Sequence, residues 1–121
     1  PRTKKMLKNF NINPNINTKK IKLIEPLGYL DFLMLQKHAK IILTDSGGIQ
    51  EEACVLKTPC ITLREETERP ETVEVGANII TGININKITK AILAMLNKPP
   101  IWENPYGDGT TAKQIIEIIK K

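Results

Sequence analysis

The segment Ile41-Ile-Leu-Thr-Asp-Ser-Gly-Gly-Ile-Gln-Glu-Glu-Ala53 constrains the fold more than any other part of the chain. It reads as a buried strand, a tight polar turn with two glycines, and a helix. The first amides of a helix have no intrahelical partner, and the helix dipole adds partial positive charge there. Gly47 and Gly48 carry no Cβ, so an anion can come close to the backbone. Ser46 adds a hydroxyl donor. Glu52 lies one turn deeper than Gly48 on the same helix face. A carboxylate there accepts bonds from a ribose diol while the helix start holds a diphosphate, and this pairing points to a nucleotide. The same residues also fit ordinary turn chemistry, with Asp45 or Ser46 as the helix N-cap.

A serine nucleophile is not expected. The motif lacks the glycine before the serine that a nucleophile elbow uses. The single histidine, His38, precedes the strand, where nothing brings it to the hydroxyl. It reads as a surface residue near a helix end.

At 121 residues the chain fits one domain with a core of its own. Aromatics make up only 4% of it, so that core is aliphatic, with isoleucine prominent. No apolar run is long enough to span a bilayer, and no signal peptide is visible in the basic first ten residues. No membrane partner and a cytoplasmic location are therefore expected. The chain starts at Pro1 without a methionine, which points to a processed product, an excised domain or a fragment.

The net charge of +5 permits nucleic-acid binding, but the lysines are scattered. Aromatic residues do not interleave with them as a single-strand stacking platform requires, so no nucleic-acid partner is expected. Cys54 and Cys60 fit no zinc spacing, and one histidine cannot complete a metal site. Both are expected as buried free thiols in a reducing cytosol.

Helix and strand patterns alternate. Expected helices cover Thr3–Phe10, Tyr29–Lys40, Gly47–Leu56, Pro70–Val75, Asn84–Leu96 and Thr110–Lys121. Expected strands are Ile21–Ile24, Ile41–Leu43, Pro59–Leu63 and Asn78–Ile80. Asn11–Thr18, with Pro14 in its middle, reads as a surface loop, and Leu30, Leu33 and Met34 as the apolar positions of their helix. Alternation of this kind implies an α/β fold: a three-layer Rossmann-like parallel sheet with helices on both faces. Ligands of such sheets bind beyond the carboxyl ends of the strands. Pro26–Phe32, Asp45–Gly48 and Arg64–Arg69 all fall at such ends.

Three motifs in order, Thr44-Asp-Ser-Gly-Gly-Ile-Gln-Glu-Glu-Ala53, Thr67-Glu-Arg-Pro-Glu71 and Asn104-Pro-Tyr-Gly-Asp-Gly109, resemble the non-hydrolysing UDP-N-acetylglucosamine 2-epimerases. The resemblance covers nearly the whole chain, which looks like the C-terminal third of a family member. It implies the C-terminal half of a glycosyltransferase-B-like architecture. Residues 1–121 would form one Rossmann-like UDP-binding domain, with 110–121 packing toward a missing N-terminal domain. It further implies that Ser46, Gly47 and Gly48 hold the diphosphate and Glu52 the ribose. Phe32 would pack on the uracil, the Leu27 backbone would pair with its edge, and Arg69 would reach the diphosphate and amino sugar.

The implied reaction interconverts UDP-GlcNAc and UDP-ManNAc, by elimination of UDP to a glycal and re-addition on the other face. It serves cell-surface polysaccharide synthesis. It needs no nicotinamide and no metal, so no cofactor is expected. The family's acid and base residues lie mainly outside this chain, so no catalytic residue is assigned within it and no activity is expected from it alone. The final amphipathic helix, left exposed, favours self-association and a homodimer. A UDP-sugar glycosyltransferase of the same architecture and a non-catalytic nucleotide-binding module are the competing readings.

Other readings of single residues stay open. Phe32 also fits a helix core position, and Arg69 a surface ion pair with Glu65. Asp45 reads as a cap, the acidic run Glu65, Glu66 and Glu68 as a solvated face, and Trp102 and Tyr106 as packing of the final turn. Lys57 departs from the family, whose members commonly have Gly there. A left-handed conformation at Lys57 would cost on the order of 1 kcal/mol.

Overall fold

The computed structural model describes residues 2–11 and 22–120. The element order is α1 (Arg2–Asn9), α2 (Tyr29–His38), β1 (Ile42–Thr44), α3 (Gly47–Val55), β2 (Cys60–Thr62), α4 (Pro70–Glu74), β3 (Asn78–Ile80), α5 (Ile85–Leu96) and α6 (Thr111–Ile119). The three strands form one parallel sheet in the order β1-β2-β3. Ile42, Leu43 and Thr44 stand opposite Cys60, Ile61 and Thr62, which stand opposite Asn78, Ile79 and Ile80.

The central strand explains how the layers are held. Cys60, Ile61 and Thr62 are all fully buried. Successive side chains of a strand point to opposite faces, so both faces of β2 are covered. α3 and α5 both pack on β2, and α4 packs on β3. This is the three-layer α/β arrangement that the alternating pattern predicts. α5 is capped by the Asn84 side chain, which accepts from Lys87 N, and buries Ala91 and Met95.

The expected strand Ile21–Ile24 is not borne out. Ile21 and the Asn-rich loop of 12–18 lie outside the described residues, and Lys22–Ile24 joins no ladder. A short apolar run carries no information about whether a neighbour is present to pair with it. The helix α2 also differs from expectation. Its apolar residues Leu30 and Met34 are exposed, Leu30 by 74%, and its buried residue is the polar Gln36.

Both α3 and α4 end in the same way. After α3, Thr58 N donates to Ala53 O and Lys57 N to Cys54 O. After α4, Ala77 N donates to Thr72 O and Gly76 N to Val73 O. These are Schellman closures, which need a left-handed residue just past the cap. Gly76 supplies it with φ 76°, whereas after α3 the residue is Lys57 with φ 61°. The left-handed backbone expected at Lys57 is therefore present. Its ammonium donates to Trp102 O and lies 5.7 Å from the Trp102 ring centroid. Trp102 Nε1 in turn donates to Cys54 O. Trp102, Cys54 and Ala77 form a small core with Val75 and Tyr106 packed against it, so the final turn packs as expected.

Candidate functional site

The start of α3 is built as an anion cradle requires. Ser46 is the N-cap residue in an extended conformation, and its hydroxyl makes no capping bond. Its backbone N–H donates instead to Thr44 Oγ1 at 3.1 Å. Gln50 N is the first amide to reach an acceptor within the helix, Ser46 O at 3.2 Å. The amides of Gly47, Gly48 and Ile49 precede it, at the positive end of the helix dipole. Neither Gly47 nor Gly48 has positive φ, so the turn does not demand glycine. A Cβ on Gly48 would have no neighbour within 4 Å, so the space in front of this amide is open.

Arg69 stands at this helix start. A Cβ on Gly47 would lie 4.0 Å from the guanidinium carbon of Arg69. Arg69 Nε is 2.5 Å from Glu51 Oε1, an ion pair without hydrogen-bond alignment, since that Nε–H finds no aligned acceptor. Arg69 Nη1 donates to Glu68 O at 2.9 Å. The surface pair with Glu65 is not formed; Arg64 pairs with Glu68 at 3.6 Å instead. Glu65, Glu66 and Glu68 are all exposed, as a solvated face requires.

Glu52 is half-buried one turn below Gly48, and Gln36 Nε2 donates to its Oε2 at 2.5 Å. Gln36 is held in turn by Thr58 Oγ1, which donates to its carbonyl at 3.0 Å. This contact joins α2 to α3. Phe32 lies one turn before Gln36, half-buried, and lines an open hollow of about 340 Å³ together with Leu27. The Gln36–Glu52 contact lies one turn beyond Phe32 on α2 and one turn beyond Gly48 on α3. Asp45–Gly48 and Arg64–Arg69 follow β1 and β2, at the carboxyl ends of the strands. Pro26–Phe32 follows no strand among the described residues, so its expected place at a strand end is not borne out; it leads into α2, which packs on α3.

Sequence reasoning missed Gln36, Gln50 and Asn78. Gln50 and Asn78 are buried within a polar cluster behind Arg69. Gln50 Oε1 accepts from Thr67 Oγ1 at 2.5 Å and from Asn78 Nδ2 at 3.2 Å. Asn78 Nδ2 also donates to Thr72 Oγ1, and Asn78 Oδ1 accepts from Thr62 Oγ1. The one available signal was a glutamine on the sheet-facing side of a short helix, which an apolar residue would fill at lower cost.

His38 closes α2 as an exposed residue, and both cysteines are free and buried. Burial, and then Cys54 nearby, pushes the Cys60 thiol up to about 12. Cys54 is raised as well, mainly by burial. The Tyr106 phenol is also raised, by burial first and then by the Glu51 and Glu71 carboxylates. No helix among the described residues is long and apolar enough to cross a membrane.

The chain is 62% identical over 120 residues to the UDP-N-acetylglucosamine 2-epimerase of Methanocaldococcus jannaschii, covering 98% of this chain and 33% of that protein. It is 52% identical to the enzyme of the same name from Methanococcus maripaludis, with the same coverage. The crystal structure of the Methanocaldococcus jannaschii UDP-GlcNAc 2-epimerase in complex with UDP-GlcNAc and UDP superposes with a TM-score of 0.86 at 60% identity, over 99% of this chain and 33% of that one. This chain therefore spans about a third of the length of the curated relatives it matches. The family model described as UDP-N-acetylglucosamine 2-epimerase matches residues 1–120, and the chain belongs to that family.

Proposed function

We propose that this chain is the UDP-binding part of a UDP-N-acetylglucosamine 2-epimerase that interconverts UDP-GlcNAc and UDP-ManNAc. The observation that carries the proposal is the start of α3, where amides without a helical acceptor stand beside Arg69 and Glu52, held by Gln36, lies one turn deeper. In a uridine nucleotide the ribose joins the base to the diphosphate, so a carboxylate close to a diphosphate cradle suits the ribose hydroxyls. The flat face of Phe32 suits uracil, with the Leu27 backbone at its edge. Glu52 accepts from the ribose hydroxyls. Ser46, Gly47, Gly48 and Arg69 take the diphosphate, with Arg69 supplying two-pronged donors to its oxygens. The Methanocaldococcus jannaschii relative crystallised with UDP-GlcNAc and UDP supports this choice of nucleotide.

The role of these residues in the reaction follows from its chemistry. The C2–H proton leaves, the C1–O bond breaks, and UDP departs with both electrons of that bond. UDP then re-adds to C1 of the glycal as a proton returns to C2 from the other face. A leaving group that must return has to stay oriented. The α3 amides and Arg69 hold it and stabilise the charge it gains on departure. The proton-transfer groups are assigned to an N-terminal domain that packs against this one, with α6 turned toward it. The whole enzyme works as a cytoplasmic homodimer that supplies amino sugars for cell-surface polysaccharides.

The test joins this chain to the N-terminal two-thirds of the Methanocaldococcus jannaschii relative and follows conversion of UDP-GlcNAc by NMR. Conversion by the chimera, lost with Arg69→Ala and absent from the 121-residue chain, is the expected result. Transfer of the sugar to an acceptor without epimerisation would overturn the assignment in favour of a glycosyltransferase.

A further inference from the structure

We infer that Gln50 and Thr67, neither of which would touch the nucleotide, are the positioning residues that hold Arg69 at the diphosphate. The inference rests on the proposed UDP site and deepens it. Arg69 occupies an irregular backbone position, φ −127° and ψ 59°, at the start of the five-residue helix α4. Helix propensity fixes nothing in so short an element. Side chains fix it instead. Thr67 Oγ1 accepts from Arg69 N at 3.0 Å and gives its own proton to Gln50 Oε1. Thr72 Oγ1 donates to Arg69 O at 2.7 Å and accepts from Asn78 Nδ2, which also donates to Gln50 Oε1. Both backbone groups of Arg69 are thus tied to a single carboxamide oxygen, the N–H through the Thr67 hydroxyl and the carbonyl through the Thr72 hydroxyl and the Asn78 amide.

That oxygen belongs to α3 itself. Gln50 sits one turn into the helix whose first amides form the cradle, so the loop of 67–69 is referenced to the amides it must complement. The proton directions close consistently, because each hydroxyl donates one way and accepts the other. The choice of glutamine is costly: Gln50 is fully buried, and its Nε2 donor has no partner among the described residues. An apolar side chain would avoid that penalty. Registering Arg69 to the helix start is what the oxygen provides in exchange.

Two substitutions separate positioning from general stability. Gln50→Met removes the shared acceptor, and Thr67→Val removes the bridging hydroxyl with little change of shape. Thr67→Ser restores the hydroxyl. Affinities of the 121-residue chain for UDP and UMP are compared by NMR titration. Wild type is expected to prefer UDP, because Arg69 engages the second phosphate. Each disruptive variant is expected to lose about tenfold in UDP affinity while holding UMP near wild type, and Thr67→Ser to recover the preference. Adding Arg69→Ala to Gln50→Met is expected to change UDP affinity by less than about twofold. Retained UMP binding shows the variant folded; if Gln50→Met does not fold, Thr67→Val carries the comparison. An unchanged UDP-to-UMP ratio in both variants would overturn the positioning role. No UDP preference in wild type would overturn the proposed site itself, and the inference with it.

Discussion

Arg69 Nε lies 2.5 Å from Glu51 Oε1, so the cation at the start of α3 is already matched by a carboxylate of the same helix. Both side chains remain about a third exposed. Such a pair contributes under about 1 kcal/mol to folding, and its effect falls on binding. Glu51 neutralises Arg69 and would place negative charge near a diphosphate bound at the proposed site. Glu51→Gln is expected to raise UDP affinity by roughly threefold at low salt, with the gain shrinking as salt is added. Isothermal calorimetry at two ionic strengths checks both parts.

Glu52 is oriented by Gln36 across the α2–α3 seam. Glu52→Ala is expected to lower UDP affinity about tenfold, and Gln36→Met by a smaller factor because the carboxylate remains but is no longer aimed. Neither change should alter binding of inorganic pyrophosphate, which lacks a ribose. Parallel titrations with UDP and pyrophosphate test this.

Lys57 keeps a left-handed backbone that glycine would adopt freely, and its ammonium is tied to Trp102. Lys57→Gly relieves about 1 kcal/mol of backbone cost and loses contacts of similar size, so its stability should stay within about 0.5 kcal/mol of wild type. Lys57→Ala keeps the cost, loses the contacts, and is expected to destabilise by about 1 kcal/mol. Urea unfolding followed by Trp102 fluorescence separates the two.

Cys60 has its folded pKa raised from an ordinary 9.0 to about 12. A thiol raised in this way favours folding fully below the unfolded value. That contribution is lost as pH rises through the window between them, because the unfolded chain releases its proton first. Stability is expected to fall between those two values, and Cys60→Ala to flatten the fall. The same burial predicts that iodoacetamide leaves Cys54 and Cys60 unmodified in the folded chain and labels both in urea. Mass spectrometry reads the labelling directly.

The helix α6 has no buried residue, and Ile115, Ile116, Ile118 and Ile119 are exposed. The isolated chain is expected to self-associate as concentration rises, and Ile116→Lys with Ile119→Lys to keep it monomeric. Sedimentation velocity over a concentration series decides.

The sequence was most legible where one local rule governs. The strand–glycine–helix segment, Asn78–Ile80 and the helix of Ile85–Leu96 follow from periodicity and caps. Ser46, Gly47, Gly48, Glu52 and Arg69 all fall at or beside the first turns of α3. What stayed illegible depends on long-range contacts. Gln36 meets Glu52 across the α2–α3 seam, and Gln50 meets Thr67 and Asn78 across a layer. No periodicity encodes which polar side chain will be buried against which. The exposure of Leu30 and Met34 is illegible for the same reason: an apolar stripe states that a helix face wants cover, not what covers it.

The proposed grip of the α3 amides and Arg69 on the diphosphate of a uridine nucleotide has a residue-by-residue readout. Amide chemical shifts of the labelled 121-residue chain, recorded during a UDP titration, test it most directly. Saturable shifts with a Kd of ~0.1–1 mM are expected, largest at Gly47, Gly48 and Ile49 and extending to Glu52 and Phe32. A well-dispersed spectrum that UDP leaves unchanged at millimolar concentration, or shifts confined to another surface, would contradict it.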